Sequence, residues 1–379
     1  MRHPISTHDY RYLARRRLPR MVFDFLEGGA EDENGLIHNQ TAFDRWQFLP
    51  RRLINVSQRS LQTELFGKHH ALPLYLSPTG LNGVLRPGAD AMLARAAAAK
   101  GIPFALSTAS NMSIEEIARA GDGEKWFQLY VMSREVAEVM CRRALDADYD
   151  ALILTVDVPV NGYRERDMRS RFGVPPSYGP RMLIDGALHP RWSIDLLRNG
   201  IPKLANFETL DAPSPELQAA LLQRQMDSSF DWDALVALRD IWPKRLIVKG
   251  IMRKEDAQRC ATLGVDAVIL SNHGGRQIDG CAVPVDVLGE VSEAVDIPVL
   301  VDSGVRRGSD AIKCLCRGAA MIGIGRAALY AVAARGQLGV EHLLEILIDE
   351  MDRTLALVGS RSPSELTPDL LLDAENRDF

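Results

Sequence analysis

The stretch RLIVKGIMRKEDAQRCATLGVDAVILSN (245–272) decides the fold. It opens on a β-branched run, RLIVKGI (245–251), passes through a helical pattern over Arg253–Leu263, and returns to a second run, VDAVILSN (265–272). Both runs are apolar nearly throughout instead of alternating, as expected of parallel strands buried on both faces. The same cadence extends upstream through LPLYLSPT (72–79), PFALST (103–108), KWFQLYV (125–131) and YDALILTVD (149–157). Downstream it continues through PVLVDSG (298–304) and AAMIGIG (319–325). Helical patterns over Ser133–Ala147, Asp231–Trp242 and Val285–Val295 fill other intervals. Ser113 followed by Glu116 reads as a capping box, whereas Ser133 followed by Val136 supplies only the cap.

Eight such strands alternating with helices indicate an α/β fold, a closed (β/α)8 TIM barrel in preference to an open doubly wound sheet. Polar or glycine residues close the strands: Thr79, Ser107, Gln128 with Tyr130, Thr155 with Asp157, Lys249, Ser271 with His273, Asp302 and Gly325. In a barrel those C-terminal ends form one face, where catalytic groups collect. The expected organisation is a single domain over 1–379. An N-terminal extension (1–71) precedes the barrel (72–360), and a long insertion after strand four (158–230) interrupts it.

The chain has 379 residues, 46% hydrophobic and 25% charged, which suits a globular protein with a substantial core. A formal net charge of -5 gives no basic footprint for nucleic acid. Five scattered cysteines argue against a disulfide framework and, with no second ligand pair near Cys314 and Cys316, against a metal site. The first residues, MRHPISTHDYRYLARRR, lack the apolar core of a signal peptide, and no apolar run is long enough to span a bilayer. The expected location is cytoplasmic, or peripheral on the inner face of the cell membrane. The insertion differs from the whole. Between Pro159 and Leu210, eight basic residues face five acidic ones, interleaved with Tyr178, Met182, Leu183, Ile184, Leu188, Trp192, Ile194, Leu196 and Leu197. Basic and aromatic residues at this density suit a membrane-interface segment over 158–210; an ordered lid or a subunit contact is the alternative.

Two strings carry most of the chemistry. SNHGGRQID (271–279) places His273 and Arg276 just past a strand end, a base for a proton and a fork of donors for a carboxylate. DSGVRRGSD (302–310) and GIGR (323–326) follow the last two strands, the usual place for a barrel phosphate site. There, glycine backbones and Arg306 or Arg326 can approach phosphate oxygens.

SNHGGRQID, DSGVRRGSD, WFQLYV and TVDVPVNGYRERD together resemble the motifs of the FMN-dependent L-2-hydroxy acid dehydrogenase and oxidase family. The likeness runs from LPRMVFDFLEGGAEDE (18–33) to the end of the barrel. PTGLNG (78–83), STASNMSIE (107–115) and LHPRWSIDLLRNGIPKLANF (188–207) look most similar to its bacterial (S)-mandelate-oxidising branch. The resemblance implies oxidation of an L-2-hydroxy acid, (S)-mandelate or a related acid, to the 2-keto acid, with FMN as cofactor and a homotetrameric state. It implies electron transfer to a membrane quinone or other carrier; L-lactate dehydrogenation, or an oxidase making hydrogen peroxide from oxygen, is the alternative. Gly80, where oxidases of the family usually carry alanine, favours the dehydrogenase.

Carried over position by position, His273 is the implied base, Asp157 orients it, and Tyr130 hydrogen-bonds the substrate hydroxyl. Arg276 and Arg164 hold the carboxylate. Lys249 lies near the flavin N1–O2 edge, and Pro78, Thr79, Gly80, Ser107, Gln128, Thr155 and Ser271 line the isoalloxazine and ribityl chain. Asp302, Ser303, Gly304, Val305, Arg306, Gly325 and Arg326 take the ribose and phosphate. One position departs. Relatives usually have tyrosine in an LPKMVYDY-like segment, giving a hydroxyl to the carboxylate, and this chain has Phe23 there. Phe23 is therefore expected at the substrate.

Overall fold

The computed structural model describes residues 3–170, 172, 180–208 and 226–375. Its centre is a closed barrel of eight parallel strands: β1 (Leu74–Thr79), β2 (Phe104–Ser107), β3 (Lys125–Leu129), β4 (Ala151–Thr155), β5 (Arg245–Ile251), β6 (Ala267–Leu270), β7 (Val299–Val301) and β8 (Met321–Ile324). The strands pair in chain order and β8 closes on β1, with Gly323 opposite Tyr75. Side chains alternate between two cores. Tyr75, Trp126, Ile153, Ile247, Ile269 and Leu300 fill the barrel interior, while their neighbours Leu74, Leu76, Leu152, Leu246 and Val268 pack outward under the helices. Burial on both sides explains the unbroken apolar runs.

The extension before the barrel is built from helices Thr7–Arg17, Arg20–Glu27 and Asn34–Arg45. The Ser6 side chain caps the first, accepting from the Asp9 amide at 3.2 Å. These helices fold back over the strand ends. Thr7 Oγ1 donates to the Arg306 carbonyl at 2.6 Å. Asn39 and Asn272 exchange side-chain amide hydrogen bonds at 2.9 and 2.8 Å in a buried pair.

After β4 the insertion forms helices Glu165–Ser170, Pro180–Leu188, Pro190–Asn199 and Ala205–Glu208. Arg171 and Tyr178 lie outside the described residues, as do the side chains of Arg181, Met182 and Leu183. Two of the expected interface anchors turn inward. Trp192 is buried with Nε1 donating to the Val84 carbonyl at 2.8 Å, and Leu196 packs against the core. Ile184, Leu188, Ile194 and Leu197 stay exposed. No helix among the described residues is long and apolar enough to cross a membrane.

Candidate active site

A cavity of about 330 Å³ opens at the C-terminal ends of the strands. His273 reaches it by an unusual backbone. Past β6, His273, Gly274 and Gly275 take φ values of 57°, 64° and 73°. A left-handed conformation costs a non-glycine residue roughly 1–2 kcal/mol, so the surroundings must hold it. They do: the His273 amide donates to Ser271 Oγ at 3.1 Å, and Gly275 passes so close to Gly35 and Leu36 that a Cβ would lie 2.8 Å from the Gly35 backbone.

The turn aims the imidazole between two partners. Nδ1 lies 3.0 and 3.2 Å from the Asp157 carboxylate oxygens, and Nε2 lies 3.3 Å from the Tyr130 hydroxyl. Asp157 accepts only, so Nδ1 carries the proton and Nε2 presents its lone pair toward the cavity. Burial pushes the His273 pKa below the usual imidazole value, outweighing the Asp157 carboxylate, which pulls it up; Lys249 and Arg164 lower it further. For Asp157, burial pushes upward but the His273 contact and Lys249 prevail, holding it below the usual carboxylate value. The resting pair is a neutral imidazole on a charged carboxylate. Two residues that the sequence reading passed over maintain it. A Cβ on Gly250, whose φ is 104°, would lie 2.7 Å from Asp157 Cβ, and Gln277 Nε2 donates to the Asp157 carbonyl at 3.0 Å.

Arg164 and Arg276 both line the cavity. Arg276 Nη1 donates to the Phe25 and Gly28 carbonyls at 2.9 and 2.7 Å; Arg164 donates to the Arg276 carbonyl and to Gln277 Oε1 at 3.2 and 3.0 Å. The structure corrects one assignment here. Phe23 does not face the cavity: it is buried in the core, with the Arg11 guanidinium carbon 5.8 Å from its ring centroid. Phe25 lines the cavity instead. Residues two apart on a helix project about 200° apart, so only one aromatic of FDF can face the substrate side.

Beside the His273 turn, sharing Ser271 with it, lies a second polar region. Lys249 is almost fully buried, its Nζ donating to Ser271 Oγ at 2.6 Å and lying 3.3 Å from Asp302 Oδ2. Burial disfavours the ammonium, but Asp302 and Asp157 outweigh it and raise the pKa, so the charge persists. Pro78, Thr79, Gly80 and Ser107 line the cavity beside it, and Ser303, Gly304, Val305, Arg306, Gly325 and Arg326 line the far end. Arg326 is anchored on the carbonyls of Leu26, Gly274 and Gly28. Gly304 answers first to packing: a Cβ there would lie 1.8 Å from the Asn39 carbonyl oxygen. Gly325 faces open space, with only Ser77 Cβ at 3.9 Å.

Gln128, Thr155 and Ser271 sit beneath this surface, not on it. Ser271 buttresses Lys249 and His273. Gln128 accepts from Ser107 Oγ at 2.9 Å, while its buried Nε2 has no partner among the described residues. An orphaned buried donor costs about 1–3 kcal/mol. Together with the Lys249 ammonium, it fits the carbonyl-rich edge of a flavin, and the far arginines fit a phosphate. The remaining wall is apolar: Met132, Phe172, Leu204, Phe207 and Met226 join Phe25. Four of these come from the insertion, and nothing in their residue type had distinguished them from core.

The comparisons agree with this geometry. The profile of the FMN-dependent dehydrogenase family matches residues 14–373. The chain is 55% identical to (S)-mandelate dehydrogenase of Pseudomonas putida, over 97% of this chain and 93% of that one. It is 39% identical to L-lactate dehydrogenase of Pectobacterium atrosepticum, over 98% of both. A crystal structure of the monotopic membrane protein (S)-mandelate dehydrogenase superposes with a TM-score of 0.95 at 54% identity, covering 98% of this chain and all of that one. With an imidazole–carboxylate pair, two arginines and a buried ammonium at the mouth of this barrel, the chain belongs to the FMN-dependent dehydrogenases that oxidise 2-hydroxy acids.

Proposed function

We propose that the acid is (S)-mandelate or a related 2-aryl-2-hydroxy acid, and that the electrons pass to a membrane quinone or other carrier. The observation that carries this reading is the apolar wall around Phe25 and Phe172, which lines the same cavity as His273 and Arg164 and runs directly onto Arg276. Identity to the P. putida enzyme well above that to the lactate dehydrogenase points the same way.

Oxidation of the CH–OH group releases two electrons and two protons. Bound FMN supplies the two-electron acceptor. Arg276 and Arg164 hold the carboxylate, their guanidinium groups already oriented by backbone carbonyls and Gln277. Tyr130 hydrogen-bonds the hydroxyl, and His273 Nε2 takes a proton while Asp157 stabilises the imidazolium. Lys249 would stand at the carbonyl-rich edge of the bound flavin and supply a buried positive charge there. Anaerobic bleaching of the flavin by a panel of L-2-hydroxy acids tests the substrate: mandelate should bleach fastest. Rapid mixing of the reduced protein with oxygen tests the acceptor, and slow reoxidation is expected of a dehydrogenase.

The peripheral membrane contact belongs to the same reading. Exposed Ile184, Leu188, Ile194 and Leu197, with Arg191 and Arg198 exposed beside them, form an apolar and basic surface on the insertion. Flotation with anionic vesicles should carry the protein upward, and a Leu188→Asp, Leu197→Asp double variant should stay below. The homotetramer rests on the family resemblance alone, and light scattering tests it.

A further inference from the structure

We propose that Phe25 and Phe172 form the specificity wall of the site: together they receive the substituent on C2 and select an aryl acid over an alkyl one. This deepens the mandelate reading and rests on it. The two rings stack at 4.2 Å between centroids with an interplanar angle of 13°, and both line the cavity. The Arg276 guanidinium carbon lies 5.2 Å from the Phe25 centroid, so the aromatic pair and the carboxylate anchor form one continuous surface.

The chemistry of C2 then limits where its substituent can go. That carbon bears a carboxylate, a hydroxyl, a hydrogen and one variable group. The carboxylate is drawn to Arg276 and Arg164, and the hydroxyl to Tyr130 and His273. The hydrogen is lost in the oxidation, so it cannot face a packed wall. A single carbon joins carboxylate and substituent, so the substituent lies within reach of what surrounds Arg276: Asp167 Oδ2, 3.9 Å from its Nη2, is the charged part of that surface, and the Phe25–Phe172 pair is the apolar part that suits a hydrocarbon substituent. Phe172 stacks on the Phe25 ring and the Arg276 guanidinium lies over the same ring, so the edges of Phe25 are what remains for a substrate ring to meet. Edges carry the positive side of the aromatic quadrupole and favour the face of another aromatic ring over a methyl group.

The pair also joins two parts of the chain that lie far apart in sequence. Phe25 comes from the Arg20–Glu27 helix and Phe172 from the insertion. Selectivity therefore depends on how the insertion seats against the first helices, where Arg166 pairs with Glu33 at 2.5 Å and Arg17 with Asp195 at 2.5 Å.

The test compares flavin reduction by mandelate and by lactate in the wild-type holoenzyme, Phe172→Ala and Phe172→Leu. The ratio of second-order reduction constants, mandelate over lactate, should fall by about tenfold in Phe172→Ala, the scale of one lost aromatic pair. Phe172→Leu, which keeps apolar bulk, should fall by less. Spectral titration with the aryl and alkyl keto acids should show the same loss of discrimination without turnover. If Phe172→Ala loses flavin, Phe172→Leu and the titration decide. A mandelate preference that survives in the flavin-loaded variants overturns the wall and leaves the mandelate reading intact. A wild-type enzyme that prefers lactate overturns both.

Discussion

The two sides of the cavity are built on different terms. The barrel side, from β3, β4, β5 and the turn after β6, presents Tyr130, Asp157, Lys249 and His273, charged or polar groups held by buried partners. The roof, from the Arg20–Glu27 helix and the insertion, presents Phe25, which stacks on Phe172, together with Phe172, Leu204 and Phe207, which pack against the core. Chemistry that several kinds of acid can share needs the first. Choosing one acid needs the second, and apolar contacts can be exchanged without disturbing the proton-transfer groups. Substitutions on the barrel side should therefore slow reduction for every acid, and substitutions in the roof should change the ranking of acids.

The largest effect is expected from His273→Gln. Flavin reduction should slow by at least about 100-fold for all acids, the scale of general base catalysis, with the bound-flavin spectrum retained. Rapid mixing under anaerobic conditions measures it; near wild-type reduction would remove His273 from the mechanism. Asp157→Asn comes next. Losing a hydrogen bond to a charged group costs about 1.5–3 kcal/mol, or roughly 10- to 100-fold in rate.

The pH profile separates these two. His273 works only when unprotonated, and burial lowers its pKa, so reduction should rise with pH and reach its plateau with a midpoint below the usual imidazole value near 6.5. Asp157 pulls that pKa up, so Asp157→Asn should move the acid limb to still lower pH while lowering the plateau. A limb that stays in place would mean that the carboxylate does not act through His273. Arg276→Lys should follow with a loss of about tenfold or more, mainly as weaker substrate binding, because an ammonium cannot reproduce the guanidinium fork. An unchanged affinity in a titration with the keto acid would sink the carboxylate role.

The barrel side was also the more legible in the sequence. A polar residue ending an unbroken apolar strand has few structural reasons to be there, so Lys249, Asp157 and His273 stood out against RLIVKGI, YDALILTVD and VDAVILSN. The barrel itself was legible for the same reason, since strands buried on both faces leave continuous runs. The roof gave no such contrast. Phe172, Leu204, Phe207 and Met226 have the composition of any core residue, and only the tertiary fold brings them to the cavity. Gln277 and Gly250 were hidden differently: each serves the site through Asp157 or Arg164, without facing it. The FDF segment failed on geometry, since a helical pattern shows that Phe23 and Phe25 point apart but not which one points in.

That last ambiguity gives the smallest and most discriminating prediction. Phe23→Tyr places a hydroxyl in a packed core, where an unpartnered polar group costs about 1–3 kcal/mol. It should lower the thermal unfolding midpoint while leaving the affinity for every acid unchanged. Phe25→Tyr should do the reverse. Its ring already lies against Arg276 at the cavity surface, so an added hydroxyl gains a donor near the carboxylate at little cost to packing. Net stabilisation by one hydrogen bond is about 0.5–1.5 kcal/mol, which sets a ceiling near tenfold on the gain in binding. Lactate should approach that ceiling, because a methyl group leaves the new hydroxyl room. Mandelate should gain less, because its ring uses the same surface. Equal gains for both acids would show that the roof does not meet the C2 substituent. A gain from Phe23→Tyr instead would return the substrate-facing role to the first aromatic of FDF.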